Sequence, residues 1–285
     1  MHMDNQNTLR KIGSQLDSNI FPFVKNGGFV MPSEIVVTSK IVGEEKEHER
    51  SRRSKTRTRK GTSRRKGTPS QTSPLISSDF KKQYESEINE VLEAYPKTRV
   101  WHQPEGILLL TESKLLVGHK QPATLVVMIP FNVKLAAKGW GFWVGSINID
   151  WIGPRHTNFP DGSICAFEPS DGTWVKGDPI VQLLDLYSLW ACRHLYMKTF
   201  GRWPGRQIVH FPYERILELK PDEYCGCEHS DRLYGDCCMD KDLKRNIIAD
   251  AIHFSMKCYG GYRKPPEAIV NFLREQDNPP LIYNL

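Results

Sequence analysis

The spacing of apolar and polar positions separates a polar N-terminal region from a longer folded region. From Ser78 onward, apolar residues recur on one face of a helix that ends at Pro96, namely Phe80, Tyr84, Ile88, Val91, Leu92 and Tyr95. Three strand-like runs follow at 106–111, 124–130 and 140–149, and they are rich in β-branched and aromatic residues. Short polar connections separate these runs. The pattern therefore predicts an antiparallel meander and an α+β fold.

Further helices are predicted after the strands. Asp178 and Pro179 supply an N-cap residue and a first-turn proline before an apolar helix through residues 183–195. We expect this to be the central packing helix, with Cys192 in the core. Near the C-terminus, helical spacing predicts one buried face formed by Leu243, Ile247, Ala251, Phe254 and Cys258. A second C-terminal helix is predicted with a buried face of Ile269, Val270, Phe272 and Leu273.

Charge is concentrated in one segment of the N-terminal region. The 285-residue chain carries a net charge of +6, but residues 50–66 alone hold ten Lys or Arg and no acid, which leaves −4 for the remainder. A like-charge block beside Ser/Thr/Pro-rich sequence buries too little surface to offset the entropy of ordering, so residues 1–78 are predicted to be a disordered basic arm. One interpretation of Arg50 to Lys66 is a weak, sequence-independent nucleic-acid contact, and the other is a solvated linker.

Composition and hydropathy indicate a globular protein without a membrane segment. Hydrophobic residues make up 39% of the chain, which is enough to bury a core. No run approaches the roughly 18 apolar residues that a membrane helix needs, and the first residues lack the apolar core of a signal peptide. The sequence therefore predicts a cytoplasmic protein with no membrane contact.

A short segment near the C-terminus holds four of the seven cysteines, Cys225, Cys227, Cys237 and Cys238. In a chain of this length such a cluster indicates a metal site rather than a disulfide framework, and four thiols are the number that a closed tetrahedral zinc site needs. The spacing resembles the SEC-C zinc motif, although it is one residue longer, which leaves His229 as an alternative ligand. We expect one structural Zn²⁺, because a closed site has no open position for substrate.

A second candidate site lies in the loop His156-Thr157-Asn158-Phe159-Pro160-Asp161-Gly162-Ser163-Ile164-Cys165. Its proline, aspartate and glycine are typical of a tight turn, which brings Asn158 back towards Cys165. A thiolate that attacks a carbonyl needs a donor for the developing oxyanion, and Asn158 is a candidate. The structural alternative is that Cys165 is a buried apolar residue and that Asn158 only ties its own loop together.

This loop resembles the active-site segment of ubiquitin-conjugating enzymes, in which a His-Pro-Asn triplet precedes the thioester-forming cysteine of an Asn-Gly-x-Ile-Cys-Leu run. Here the triplet is 156–158 and the run is 161–166, with Thr157 in place of proline and one residue fewer between Asn158 and Cys165. Such departures are typical of divergent bacterial relatives in phage-defence and ubiquitin-like conjugation operons. The predicted order of helix, meander, cysteine loop and packing helix agrees with that family, and Trp174 corresponds to its usual tryptophan.

The resemblance implies a catalytic domain at residues 79–220 and a zinc-bearing helical extension at 221–285. Cys165 would accept an acyl group, the C-terminal carbonyl of a ubiquitin-like modifier or target protein, from an activating enzyme and pass it to an amine. Asn158 would stabilise the oxyanion or fix the loop, and His156 would order the segment. The acid that helps to deprotonate the amine would be one of three candidates: Asp161, Glu168 or Asp171.

Two other classes of function fit parts of the sequence. One is a catalytically inactive adaptor that binds a ubiquitin-like protein or nucleic acid, although the presence of Cys165 argues against it. The other is a Cys-His hydrolase that combines Cys165 with His156 or His210. A hydrolase would release its product with water, whereas a conjugating enzyme would hold a lasting thioester.

Overall fold

A computed structural model describes residues 78–114, 122–166, 173–227 and 232–285, together with the backbone of 23–25 and 28–30. The strands are β1 (Phe23–Lys25), β2 (Gly28–Val30), β3 (Arg99–Gln103), β4 (Gly106–Glu112), β5 (Thr124–Pro130), β6 (Lys138–Val144) and β7 (Ile149–Trp151). The α-helices are α1 (Ser78–Ala94), α2 (Ile180–Phe200), α3 (Pro212–Glu218), α4 (Met239–Leu243), α5 (Ile247–Lys257) and α6 (Glu267–Glu275). The chain is therefore a mixed α and β protein.

Strands β3 to β7 form one antiparallel sheet in chain order, so the predicted meander is confirmed. The runs at 106–111 and 124–130 correspond to β4 and β5. The run at 140–149 was wrongly predicted as one strand, because Gly145 and Asn148 close a turn between β6 and β7 with a backbone hydrogen bond of 2.8 Å. Ile147, expected inside that strand, lies in this turn and is 92% exposed.

Helices cover both faces of the sheet, which explains why β4 and β5 are continuously apolar. Ile107 and Leu109 point into a core shared with α1 and α2, whereas Leu108 and Leu110 point into a second core shared with α6. Successive side chains of a strand face opposite sides, so a strand buried on both sides loses the usual alternation of apolar and polar residues. The first core is the larger and lies behind the candidate cysteine loop.

Helices α1 and α2 confirm the two long helical predictions, with one correction at the start of α2. The N-cap position is Pro179, and the carboxylate of Asp178 instead accepts a hydrogen bond from Val175 N at 2.8 Å. Gly201 ends α2 in the left-handed conformation, and its N–H donates to Met197 O. Cys192 lies in the core and is 2% exposed, as predicted.

The C-terminal helices differ in part from the predicted pattern. Asn246 caps α5 by accepting a hydrogen bond from Ala249 N, so the expected single helix is divided into α4 and α5. As a result Leu243 and Ile247 are 61% and 49% exposed, whereas Phe254 of the same predicted face is buried. In α6 three residues of the expected face, Ile269, Phe272 and Leu273, are buried, and the fourth, Val270, is half-buried.

Two features of the structure bear on the predicted division of the chain near residues 78 and 220. Inside the 1–78 arm, β1 and β2 pair as a short antiparallel hairpin, and the backbone of β1 lies against α2. The basic run 50–66 lies outside the described residues. At the boundary near 220, residues from both sides share a small core, which contains Val209, Leu219, Cys225 and Tyr234.

In the part of the chain that the structure describes, no helix has the length and apolar character of a membrane span.

Candidate functional site

The cysteine loop is a tight hairpin held by its own backbone. Thr157 pairs with Ile164 in an antiparallel bridge, and Asn158 N donates to Ser163 O at 2.7 Å. On the other side of the Thr157–Ile164 pair, Cys165 N donates to His156 O at 3.0 Å. Gly162 takes a positive φ of 61°, which a glycine adopts without steric cost. The predicted turn is therefore confirmed, and it fixes the main chain of Cys165.

The side chain of Asn158 makes its hydrogen bonds inside this hairpin. Its Nδ2 atom donates to Ser163 Oγ and to Ile164 O, both at 3.2 Å. A carboxamide has two N–H hydrogens, and this arrangement uses both of them within the loop. In this conformation Asn158 braces the turn, and neither hydrogen points to a substrate oxygen.

Asp161 is an ion-paired member of the turn. Its carboxylate lies 2.7 Å from Lys138 Nζ and accepts a hydrogen bond from Ser163 N at 3.0 Å. Burial alone would raise the pKa of Asp161, but the hydrogen bonds from Lys138 and Ser163 outweigh it and hold the pKa below its usual value. Asp161 is therefore a weak base. The other two candidate acids, Glu168 and Asp171, lie outside the described residues.

His156 is held in a strained position beside the loop. Its φ of 52° is unusual for a residue other than glycine, and its ring stacks on Trp203 with 3.9 Å between ring centroids. Its Nε2 lies 3.1 Å from Gln207 Oε1. Burial, followed by the charge of Arg155, keeps the pKa of His156 well below 6.5, so the imidazole is neutral at physiological pH.

Cys165, Asn158 and His156 all line one cavity of about 350 Å³, which the sequence analysis did not predict. Its walls come from the cysteine loop, α2, the segment 203–211, α3 and the C-terminal region. The Cys165 thiol is half-buried. His210, the other histidine of the hydrolase alternative, lines the same cavity. Cys165 and both candidate histidines therefore share one cavity.

A buried charge cluster forms part of the cavity wall. Arg263 Nη2 contacts both Glu214 and Glu218, and the guanidinium lies over the Phe159 ring at 3.9 Å from its centroid. Burial raises the pKa of Glu218 even though Arg263 acts in the opposite direction. Sequence reasoning missed this cluster because Arg263 lies more than forty residues from both acids and no local motif links them.

The four predicted cysteines come together in the fold. The Sγ atoms of Cys225, Cys227, Cys237 and Cys238 all lie within 4.8 Å of one another. The distance is 3.7 Å between Cys227 and Cys237 and 3.8 Å between Cys237 and Cys238. A tetrahedral site with metal–sulfur bonds of about 2.3 Å needs sulfur separations of about 3.8 Å, so the cluster fits a metal ion. The alternative ligand His229 lies outside the described residues.

No protein-family model, curated protein or solved structure matches the chain. The protein can therefore be described only by its own fold and candidate sites. The protein combines a five-stranded antiparallel sheet with a half-buried cysteine on a cavity wall and a cluster of four thiols.

Proposed function

We propose that the protein is a ubiquitin-conjugating-like acyl transferase that carries its acyl group as a thioester on Cys165. The observation that carries the proposal is the thiol itself, which is half-buried on a cavity wall and whose main chain is fixed by the hairpin. The order of α1, the meander, the cysteine loop and α2 also supports a ubiquitin-conjugating-like fold. By the same resemblance, the partners are an activating enzyme and a ubiquitin-like modifier or target protein, in a cytoplasmic bacterial defence pathway.

The proposed reaction has two steps, both at Cys165. First, the thiolate attacks the carbonyl of an incoming thioester, the new C–S bond forms, and the donor thiolate leaves. Second, an amine attacks the carbonyl of the Cys165 thioester, a C–N bond forms, and the thiolate of Cys165 leaves while the amine loses a proton to a base. Asp161 is poorly suited as that base because its pKa is lowered, whereas Glu218 on the cavity wall has a raised pKa.

A specific observation favours the Cys-His hydrolase as the second candidate function. His156 and His210 line the cavity together with Cys165. A thiolate–imidazolium pair requires the imidazole to take the thiol proton. Burial and the charge of Arg155 oppose protonation of His156, whose pKa is well below 6.5. His210 is then the histidine on which a hydrolase would depend. The adaptor alternative would leave Cys165 without chemistry.

A glycine-terminated peptide thioester tests these functions without the cognate activating enzyme. We expect the peptide to move onto the protein as an adduct that hydroxylamine removes, and to move on to an added alkylamine faster than to water. Intact-protein mass spectrometry follows the adduct, and the released peptide is identified as amide or acid. Release as acid at an unchanged rate when amine is added would support the hydrolase. Absence of any adduct would support the adaptor.

Asn158→Ala is expected to slow loading and discharge together, by about ten-fold each, because the hairpin that fixes Cys165 loses two hydrogen bonds. The measurement is the rate of each step with the same peptide thioester. Asn132→Ala is the control, since Asn132 braces another loop by accepting a hydrogen bond from Lys134 N. A loss of roughly 100-fold confined to discharge would instead identify Asn158 as an oxyanion donor.

We also propose that the metal is one structural Zn²⁺, because four thiolates and a closed geometry suit this ion. Native mass spectrometry of protein purified without added metal should show the mass of the chain plus one zinc. Cys227→Ser should lower the metal content, whereas Cys192→Ala should not, because Cys192 lies in the core away from the cluster. A mass equal to that of the bare chain would refute the zinc site.

A further inference from the structure

A buried polar network connects the cysteine cluster with the Cys165 hairpin, and Gln207 lies at its centre. Gln207 is 6% exposed. Its Nε2 donates to Tyr224 O at 2.7 Å, and its Oε1 accepts from Arg155 Nη2 at 2.7 Å. The same Oε1 lies 3.1 Å from His156 Nε2, which therefore donates to it. One side chain thus touches the segments that carry both candidate sites.

On the side of the cysteine cluster, the contacts reach the residues next to the candidate ligands. Tyr224 immediately precedes Cys225, the most deeply buried of the four thiols. Two residues after Gln207, Val209 N donates to Gly226 O at 2.7 Å. Because Gly226 separates two cysteines of the cluster, a movement of this ligand segment would displace Gln207.

On the side of the thiol, the contacts reach Cys165 through the strained residue His156. A left-handed backbone at a residue other than glycine persists only when its surroundings hold it. Gln207 and Trp203 hold the ring of His156, and its carbonyl accepts hydrogen bonds from Cys165 N and from Trp190 Nε1 at 2.9 Å. Releasing the ring would therefore shift the backbone of Cys165.

A buried ion pair fixes the other end of the network. Arg155, the neighbour of His156, makes two hydrogen bonds to Glu223, at 3.0 and 2.7 Å, and Glu223 lies two residues before Cys225. Arg155 therefore contacts both Gln207 and the ligand segment. The residues at the centre of the network are shielded from solvent. A group that loses one of these hydrogen bonds therefore finds few alternative partners.

We propose that Gln207 is a positioning residue that makes the reactivity of Cys165 depend on the state of the cysteine cluster. The proposal rests on the proposed roles of Cys165 as nucleophile and of the cluster as a zinc site. It concerns the thiol itself and not acyl transfer, so it can fail while the proposed function stands. The hydrogen bond from Gln207 to Tyr224 is the contact through which this side chain would respond to the cluster.

The test measures alkylation of Cys165 by iodoacetamide, followed by peptide mass spectrometry that separates it from the other cysteines. In the wild type, removing zinc from the full-length protein with a chelator under reducing conditions should raise the alkylation rate of Cys165 about ten-fold, a typical size for coupling between two sites, because the half-buried thiol becomes more accessible. Gln207→Met should raise the rate similarly with zinc bound, and zinc removal should then add little. Such non-additivity is the signature of coupling.

Two further variants separate this role from general stabilisation. Gln207→Glu keeps an acceptor for Arg155 and His156 but cannot donate to Tyr224, so its rate with zinc should approach that of the wild type while the response to zinc removal is lost. Gln103→Met is the matched control, because Gln103 is also buried and bridges backbone groups of Pro280 and Ile282 at the far edge of the sheet. This control should keep the full wild-type response to zinc removal.

Three results would overturn the proposal. The first is an alkylation rate in the wild type that does not change on zinc removal, and the second is a protein that takes up no zinc. The third is an equal response in wild type, Gln207→Met and Gln207→Glu. Circular dichroism and thermal unfolding of each variant establish that the compared proteins are folded.

Discussion

Replacing Cys165 with alanine should abolish the thioester adduct completely. The thiol is half-buried at the cavity, and acyl exchange needs its sulfur as the attacking atom. Cys165→Ser should load far more slowly, because a hydroxyl is a weaker nucleophile, but the resulting oxyester should resist hydroxylamine concentrations that remove the thioester. Intact mass after incubation with the peptide thioester measures both outcomes.

Cys192→Ala is the matched control for this experiment. Cys192 is 2% exposed, and burial raises its pKa to about 12, so its thiol is protonated and inaccessible at neutral pH. Its removal should leave loading unchanged. An undiminished adduct in Cys165→Ala would move the chemistry to another cysteine and remove the case for this site.

Glu223→Gln should be the most destabilising of the proposed substitutions. The carboxylate of Glu223 is fully buried and pairs with Arg155, whose side chain is 9% exposed. The glutamine keeps the shape but leaves the buried guanidinium without a countercharge, which costs about 3–5 kcal/mol. Urea unfolding, monitored by circular dichroism, measures the change in the free energy of unfolding.

The control is an ion pair at the surface. Lys97 and Glu112 lie 2.8 Å apart, but their side chains are 72% and 35% exposed. Solvent weakens such a pair, so Glu112→Gln should change the free energy of unfolding by less than about 1 kcal/mol. Similar losses in the two variants would contradict the view that the Arg155–Glu223 pair is effectively shielded from water.

The sequence predicted those elements whose signals are local. Strands β4 and β5 are continuous apolar runs, and the hairpin that ends at Cys165 carries its own turn residues, so both could be identified without tertiary information. Strand β3 was missed because only Val100 and Trp101 supply its apolar character. The division between α4 and α5 was missed because Asn246 acts as a cap inside a helical pattern.

The candidate site was predictable only in its local part. The four cysteines and the loop around Cys165 are short motifs, and the fold brings each group together as expected. By contrast, Arg155 meets Gln207 and Glu223 across 52 and 68 residues. Isolated glutamine and glutamate residues carry no pattern, so nothing in the sequence identified these partners before the fold was known.

The left-handed backbone of His156 also bears on how such proteins can be recognised. A proline disfavours helical backbone angles in the residue before it and drives that residue towards extended angles. The φ of 52° at His156 lies far from the extended range, so proline at position 157 would conflict with this hairpin. Thr157 is compatible with it and also donates its hydroxyl hydrogen to Pro154 O. A search pattern for chains that share this hairpin should therefore leave the middle position of the triplet open rather than demand His-Pro-Asn.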